Sequence, residues 1–187
     1  MSKEIKDIYV KYGANESNIK IFHNGASSLI QFESVGKLDK AICLAKVEYR
    51  KGQQYLSELE NIDIAGPIHN FEIQIKNYIR HWTRDDIKQK LTNYKTLVLL
   101  SNGEAHSLSI CEALMSGLSL VISRVASANL DTSKPWIHVI DDSKFKDTEY
   151  IQTVINKSIY ENDMYRQEIR EYALSMFSWD KIAETYV

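Results

Sequence analysis

The stretch SNGEAHSLSICEALMSGLSLVIS, residues 101–123, reads as a strand end, a loop, a helix, a turn and the next strand. HSLSICEALMSG is apolar almost all round, the pattern of a helix buried on most sides, and it ends at Gly117, a residue suited to the left-handed position that closes a helix. LSLVIS follows as a continuous apolar run, and TLVLL at 96–100 precedes the loop in the same style. Strands without polar alternation are buried on both faces. That is the situation of parallel strands covered by helices, not of half-exposed antiparallel ones.

The same alternation extends outward from this segment. Candidate strands are Lys20–His23, Ala41–Ala45, Ile62–Ala65, Thr96–Leu100, Leu118–Ser123 and Trp136–Ile140. Between them, KGQQYLSELEN reads as a short amphipathic helix. Residues 71–94 hold one or two helices, with Asp85 and Asp86 suited to a helix N-terminus. From Thr148 onward Ile151, Val154, Ile155 and Ile159, then Ile169, Ala173 and Leu174, recur at helical spacing. Strands alternating with helices predict right-handed βαβ units and an α/β fold, a Rossmann-like doubly wound parallel sheet. Ligands of such sheets bind beyond the carboxyl ends of the strands. Chemistry is therefore sought just after Ala45, Ala65, Leu100 and Ser123.

Composition narrows the function classes. The 187 residues suffice for one well-packed domain and fall short of two of ordinary size. A net charge of -2 and the lack of any basic block argue against a nucleic-acid partner. Cys43 and Cys111 sit in apolar runs and read as buried thiols of a reducing, cytoplasmic compartment. Neither has a second Cys or a His at ligand spacing, so no metal site is expected. The N-terminus MSKEIKDIYV lacks the apolar core of a signal peptide, and no run approaches a transmembrane segment in length. Without a G-x-G-x-x-G, a nicotinamide cofactor is disfavoured and no cofactor is expected.

Two carboxylates stand out. Glu112 lies mid-helix among Leu108, Ile110, Cys111, Leu114 and Met115. A charge there needs a hydrogen-bonding partner or an open cleft, and both readings stand. Glu104 lies in the loop that enters the same helix. The free N–H groups around His106, Ser107 and Leu108 suit a phosphate. A loop carboxylate, an anion-binding helix start and a second carboxylate two turns on make a cradle for a sugar nucleotide. Upstream, Lys46 follows a buried strand directly and Lys51 begins the next helix, with Gly52 permitting close backbone approach. Two cations there could hold a diphosphate, or could simply be solvated surface lysines.

These segments resemble the donor-binding motifs of the retaining GT-B glycosyltransferases of family 4. Glu104 to Glu112 fits the E-x7-E motif, and EALMSGLSLVIS fits its usual continuation. AKVEYRKG resembles GR-x4-KG, with Lys46 at the arginine position and Lys51 at the lysine position. IFHNGASSLIQF resembles the opening strand and asparagine-glycine turn of that family's C-terminal domain, and MFSWDKIAETYV resembles its closing helix. The resemblance covers roughly residues 13–187. It implies a donor domain over 18–187, with a crossover helix at about 178–187. Residues 1–17 would be an interdomain helix or linker, on which Ile5, Ile8, Tyr9 and Tyr12 follow helical spacing.

The resemblance also implies roles. Lys46 and Lys51 contact the diphosphate of a nucleotide-diphospho-sugar, and with Glu104 they form the catalytic set. Glu104 bonds the transferred sugar, and His106 faces it. Glu112 holds the ribose hydroxyls, and the backbone at Ser107 and Leu108 meets the distal phosphate. Transfer proceeds with retention and without a metal. The acceptor lies on an N-terminal domain, in cis or in trans, which is also where any membrane association of the family resides. Three departures mark this chain. Ala105-His106-Ser107 replaces Gly-Phe-Gly, Lys46 replaces a bidentate Arg, and the acceptor half that the resemblance implies is expected outside these residues. The alternative is a non-catalytic sugar-nucleotide-binding or interaction module. An epimerase of the same architecture fits the KG and FSW segments less well.

Overall fold

The computed structural model describes residues 3–186. Six strands form one sheet: β1 (Ala41–Leu44), β2 (Ile62–Ala65), β3 (Tyr78–Arg80), β4 (Thr96–Leu99), β5 (Ser119–Ser123) and β6 (Ile137–Ile140). All neighbours pair in parallel, in the order β3-β2-β1-β4-β5-β6. The order reverses between β1 and β4, and the crevice at that reversal is where doubly wound sheets bind ligands. Among the described residues, five α-helices accompany the sheet: α1 (Lys3–Lys11), α2 (Arg84–Lys90), α3 (Leu108–Met115), α4 (Thr148–Phe177) and α5 (Trp179–Tyr186).

The continuous apolar strands have the predicted consequence. Ile42, Leu44, Leu97, Leu99, Leu120 and Ile122 pack into one core, beneath α3. Their alternates Ala41, Cys43, Val98 and Val121 pack into a second core on the opposite face. The long helix α4 serves both: Ile151, Ile155 and Ile159 join the second core, and Ile169, Ala173 and Phe177 join the first. Asp147 caps its start, accepting from Tyr150 N at 3.1 Å. Gly117, with φ +81, closes α3 as its position in the sequence suggests. No helix among the described residues is long and apolar enough to cross a membrane.

The C-terminal half of α4 is anchored by a buried cation. Arg166 is 1% exposed and donates from Nε to the Glu33 carbonyl at 2.7 Å. Its remaining nitrogens donate to the carbonyls of Tyr94 at 3.0 Å, Ser116 at 3.1 Å and Thr92, and to the Asn162 and Thr92 side chains. One guanidinium thereby ties α4 to the segments around β4 and to the end of α3.

Three readings of local sequence are corrected. Lys20–His23 forms no strand among the described residues; the nearest pairing is an isolated bridge between Ala26 and Ser178. KGQQYLSELEN is not a continuous helix. Two 3-10 turns, Tyr49–Lys51 and Gln53–Tyr55, flank Gly52, whose left-handed φ of 78 interrupts helical progression. Residues 71–94 hold the expected helix, α2, but also the edge strand β3 before it, which the helical reading lacks. The closing helix is present as α5; Val187, the last residue of the predicted span, and Met1 and Ser2 lie outside the described residues.

Candidate functional site

Three segments converge on the carboxyl edge of the sheet at the order reversal. The first leaves β1. Ala45 N donates to the Ala65 carbonyl at 3.1 Å and Val47 N to the Pro67 carbonyl at 2.9 Å, so this strand exit stays tied to that of β2. Lys46 lies between them, exposed, with its carbonyl held by the fully buried Gln53 amide at 2.7 Å. The turn that follows presses on the end of β4: a Cβ on Gly52 would lie 2.5 Å from the Leu100 carbonyl oxygen. Only glycine allows that approach in this backbone conformation. It brings Lys51 to Glu104, with which it forms an ion pair.

The second segment is the loop between β4 and α3. Arg50 shapes it, donating from one terminal nitrogen to the Gly103 carbonyl, while Asn102 N donates to the Arg50 carbonyl at 2.9 Å. Glu104 then faces Lys51, and their side chains are only 11% and 13% exposed. Ser107 is the N-cap of α3 and makes no side-chain capping bond. The first N–H groups of that helix have no intrahelical acceptor and are disposed to receive an anion.

The third segment follows β3. Thr83 and Asp86 form a capping box that fixes the start of α2: Thr83 Oγ1 accepts from Asp86 N at 3.1 Å, and Asp86 accepts from Thr83 N at 3.0 Å. The first residue of α2, Arg84, pairs with Glu112 of α3. Arg84 is 66% exposed and Glu112 11% exposed, so the carboxylate is set in the wall and its partner arrives from the solvent side. Burial raises the Glu112 carboxyl above its ordinary range, and Arg84 opposes that rise.

These segments enclose a cleft of about 650 Å³. It collects Lys46, Lys51, Glu104, His106, Ser107, Leu108 and Glu112 from the sequence reading. Its lining holds four cations (Lys46, Arg50, Lys51 and Arg84) against two carboxylates. The excess of positive charge at a helix start suits a polyanionic ligand. Lys51 and Arg84 already have carboxylate partners, whereas the Lys46 ammonium has none among the described residues.

His106 lies in the wall of the cleft, where its ring nitrogens already have partners. The sequence reading turns it towards a transferred sugar. In the structure the residue is 7% exposed and belongs to the cleft wall. Asn24 N donates to Nδ1 at 3.0 Å, and the Asn24 amide donates to the His106 carbonyl at 2.7 Å. Nε2 lies 3.5 Å from the Cys111 sulfur, and the rings of His23 and Phe177 stand edge-on at 5.5 and 5.6 Å. Burial, with His23 adding to it, lowers the imidazole to about 4, so the ring is neutral at pH 7. Burial pushes the Cys111 thiol up to about 12, so no thiolate forms beside it. The pair clamps the Asn24 turn to α3; it is not an acid–base dyad.

Sequence reasoning missed Arg84, Asn24 as a clamp, and the cleft wall at His81, Trp82 and Thr83. One signal was present. Thr83-Arg84-Asp85-Asp86 is a capping-box pattern, and it places a helix start at 84 and a loop before it. Nothing in the local sequence pairs Arg84 with Glu112, 28 residues away.

No protein-family model matches the chain, and no curated protein matches its sequence. Solved structures do match over almost its whole length. The pneumococcal O-GlcNAc transferase GtfA, in complex with UDP and GlcNAc, is 17% identical, with a TM-score of 0.72 over 98% of this chain and 42% of its own. Anabaena HepE in complex with UDP-glucose is 14% identical, with a TM-score of 0.76 over 99% of this chain and 62% of its own. WaaG, a glycosyltransferase involved in lipopolysaccharide biosynthesis, is 15% identical, with a TM-score of 0.75 over 99% and 60%. The likeness is one of fold: the chain has the architecture of one Rossmann-like half of GT-B glycosyltransferases. It spans 42% to 62% of the length of these three proteins.

Proposed function

We propose that this chain is the donor-binding half of a retaining glycosyltransferase of family 4, and that its cleft takes a nucleotide-diphospho-sugar. The observation that carries the reading is the gathering of Lys46, Lys51, Glu104, the α3 start and Glu112 around one cleft at the sheet's order reversal. Complexes of GtfA with UDP and of HepE with UDP-glucose, both sharing this fold, support the choice of ligand class. Lys46 and Lys51 hold the diphosphate and stabilise the charge that develops as it leaves the sugar. The Ser107 and Leu108 backbone receives the distal phosphate. Glu104 accepts from sugar hydroxyls, and Glu112 accepts from the ribose hydroxyls once Arg84 releases it. His106 contributes by holding the loop. Transfer to an acceptor requires a second domain, in cis or in trans.

Titration with UDP-, GDP- and ADP-sugars tests this. Binding of at least one, weakened about tenfold or more by Glu112→Ala, is expected, since that substitution removes a charged hydrogen-bond acceptor. Absence of any thermal shift with the whole panel, or full affinity in Glu112→Ala, refutes the donor site. The second reading, a binding module without turnover, draws on the ion pairs that already engage both carboxylates. It prevails if nucleotide sugars bind but neither transfer nor donor hydrolysis occurs with a cognate acceptor half supplied.

A further inference from the structure

A second cavity of about 420 Å³ opens on the same carboxyl edge of the sheet, and Arg50 lines both it and the donor cleft. Tyr49, Tyr55, Phe145, Asn102, Gln54 and Arg50 line it. Tyr49 is 52% exposed, while Tyr55 and Phe145 are set deeper, with ring centroids 5.8 Å apart at 48°. The phenol hydroxyls of both tyrosines and the Asn102 side-chain amide make no hydrogen bond among the described residues. Arg50 cannot swing freely, because its guanidinium donates to the Gly103 carbonyl and, at 2.9 Å, to Glu48. Among the described residues, no carboxylate lines the cavity.

This chemistry excludes several ligand classes. A single cation already committed to two partners is a poor receptor for a phosphate, and the absence of carboxylates disfavours a cation. Neutral donors and acceptors beside aromatic rings suit a ligand with polar edges and an apolar face. A pyranose is such a ligand. Its hydroxyls match phenol and amide groups, and its C–H face packs on the negative face of an aromatic ring. The volume lies in the range of small-molecule sites.

We propose that this second cavity is a saccharide subsite, holding a sugar unit of the glycan on which the donor cleft acts. The choice of a glycan rests on the donor-site reading above. The cavity is placed for it: Arg50 lines both spaces, and the Gly103 that it grips precedes Glu104. Tyr49 and Asn102 are both exposed, so either can be truncated without opening a core.

Saturation-transfer NMR on the full chain, with cellobiose, maltose and N,N′-diacetylchitobiose as probes, tests the subsite. At least one disaccharide is expected to bind both alone and with saturating UDP. Tyr49→Ala and Asn102→Ala are each expected to weaken it about tenfold, as truncation of a central contact does, and to leave UDP-glucose affinity within about twofold. If none of the three binds, if UDP displaces the disaccharide completely, or if both variants bind as the parent does, the subsite is overturned. Failure of the donor reading looks different. UDP-sugars then fail to bind the parent chain, while a Tyr49-dependent disaccharide signal persists and upholds the subsite.

Discussion

Arg166 and Lys51 are both cations drawn out of bulk water, yet they are held by different partners. Arg166 is 1% exposed and donates to the backbone carbonyls of Glu33, Thr92, Tyr94 and Ser116. Burial lowers its guanidinium to about 10, which leaves it charged at neutral pH. Every acceptor is fixed in the fold, and Arg166 lines neither cavity described above. Lys51 meets one carboxylate, Glu104, beside a cleft of about 650 Å³. A ligand oxygen can take the place of that partner. The same holds for Arg84 on Glu112. Burial of a charge therefore does not by itself mark a site; exchangeable partners next to open volume do.

The largest expected effect breaks the closed cluster. Arg166→Met strips donors from several buried carbonyls and should cost about 3 kcal/mol or more of stability. Urea denaturation reads this directly, and a loss below about 1 kcal/mol would show that the carbonyls find other donors. Next, Gly52→Ala forces a left-handed backbone on alanine and drives its Cβ onto Leu100. A cost of about 2 kcal/mol is expected. Because Lys51 rides on the same turn, nucleotide-sugar affinity should fall with stability, whereas Arg166→Met should spare affinity in whatever fraction remains folded.

Two smaller effects separate by the sign of their pH dependence. His106 is lowered from 6.5 to about 4, so the folded chain binds fewer protons than the unfolded one between those values. Stability contributed there is present above pH 6.5 and lost as the pH falls towards 4. In His106→Gln, the drop in melting temperature on acidification should be shallower than in the parent. Glu112 has the opposite sign. Its carboxyl is raised above 4.5, so the folded chain binds more protons there, and stability declines as the pH rises through that window. Arg84→Gln removes the opposing charge and should steepen this decline. At neutral pH the cost should stay within about 1 kcal/mol, because the Arg84 partner is largely solvated. If donor affinity survives Arg84→Gln but not Glu112→Ala, the exchangeable-partner view is sharpened. If both lose it equally, the pair acts as a unit.

Much of this molecule was legible one segment at a time. The apolar runs at β1, β4 and β5 announced strands buried on both faces, because covering both faces of a sheet removes the need for polar alternation. The fully apolar surroundings of Glu112 announced a carboxylate in need of a partner. The Asp85-Asp86 pair announced the start of α2. Lys20–His23 looked equally strand-like, but strand formation needs a neighbour to bond with, and the sheet provides none there. The three-residue β3 was too short to carry a periodic signal.

The sequence by itself determined the parallel α/β architecture, the strand–loop–helix unit from 96 to 115 and the E-x7-E spacing, since these depend on residues near one another in the chain. Only the tertiary structure decided the partners. Lys51 meets Glu104 across 53 residues, Arg84 meets Glu112 across 28, and Arg166 meets Tyr94 across 72. It also gave His106, in the cleft wall, a second task as a clamp on Asn24, and it formed a second cavity that shares Arg50 with the cleft. Local propensity acts over a few residues, whereas the partner of a charge is set by which elements the packed sheet brings side by side.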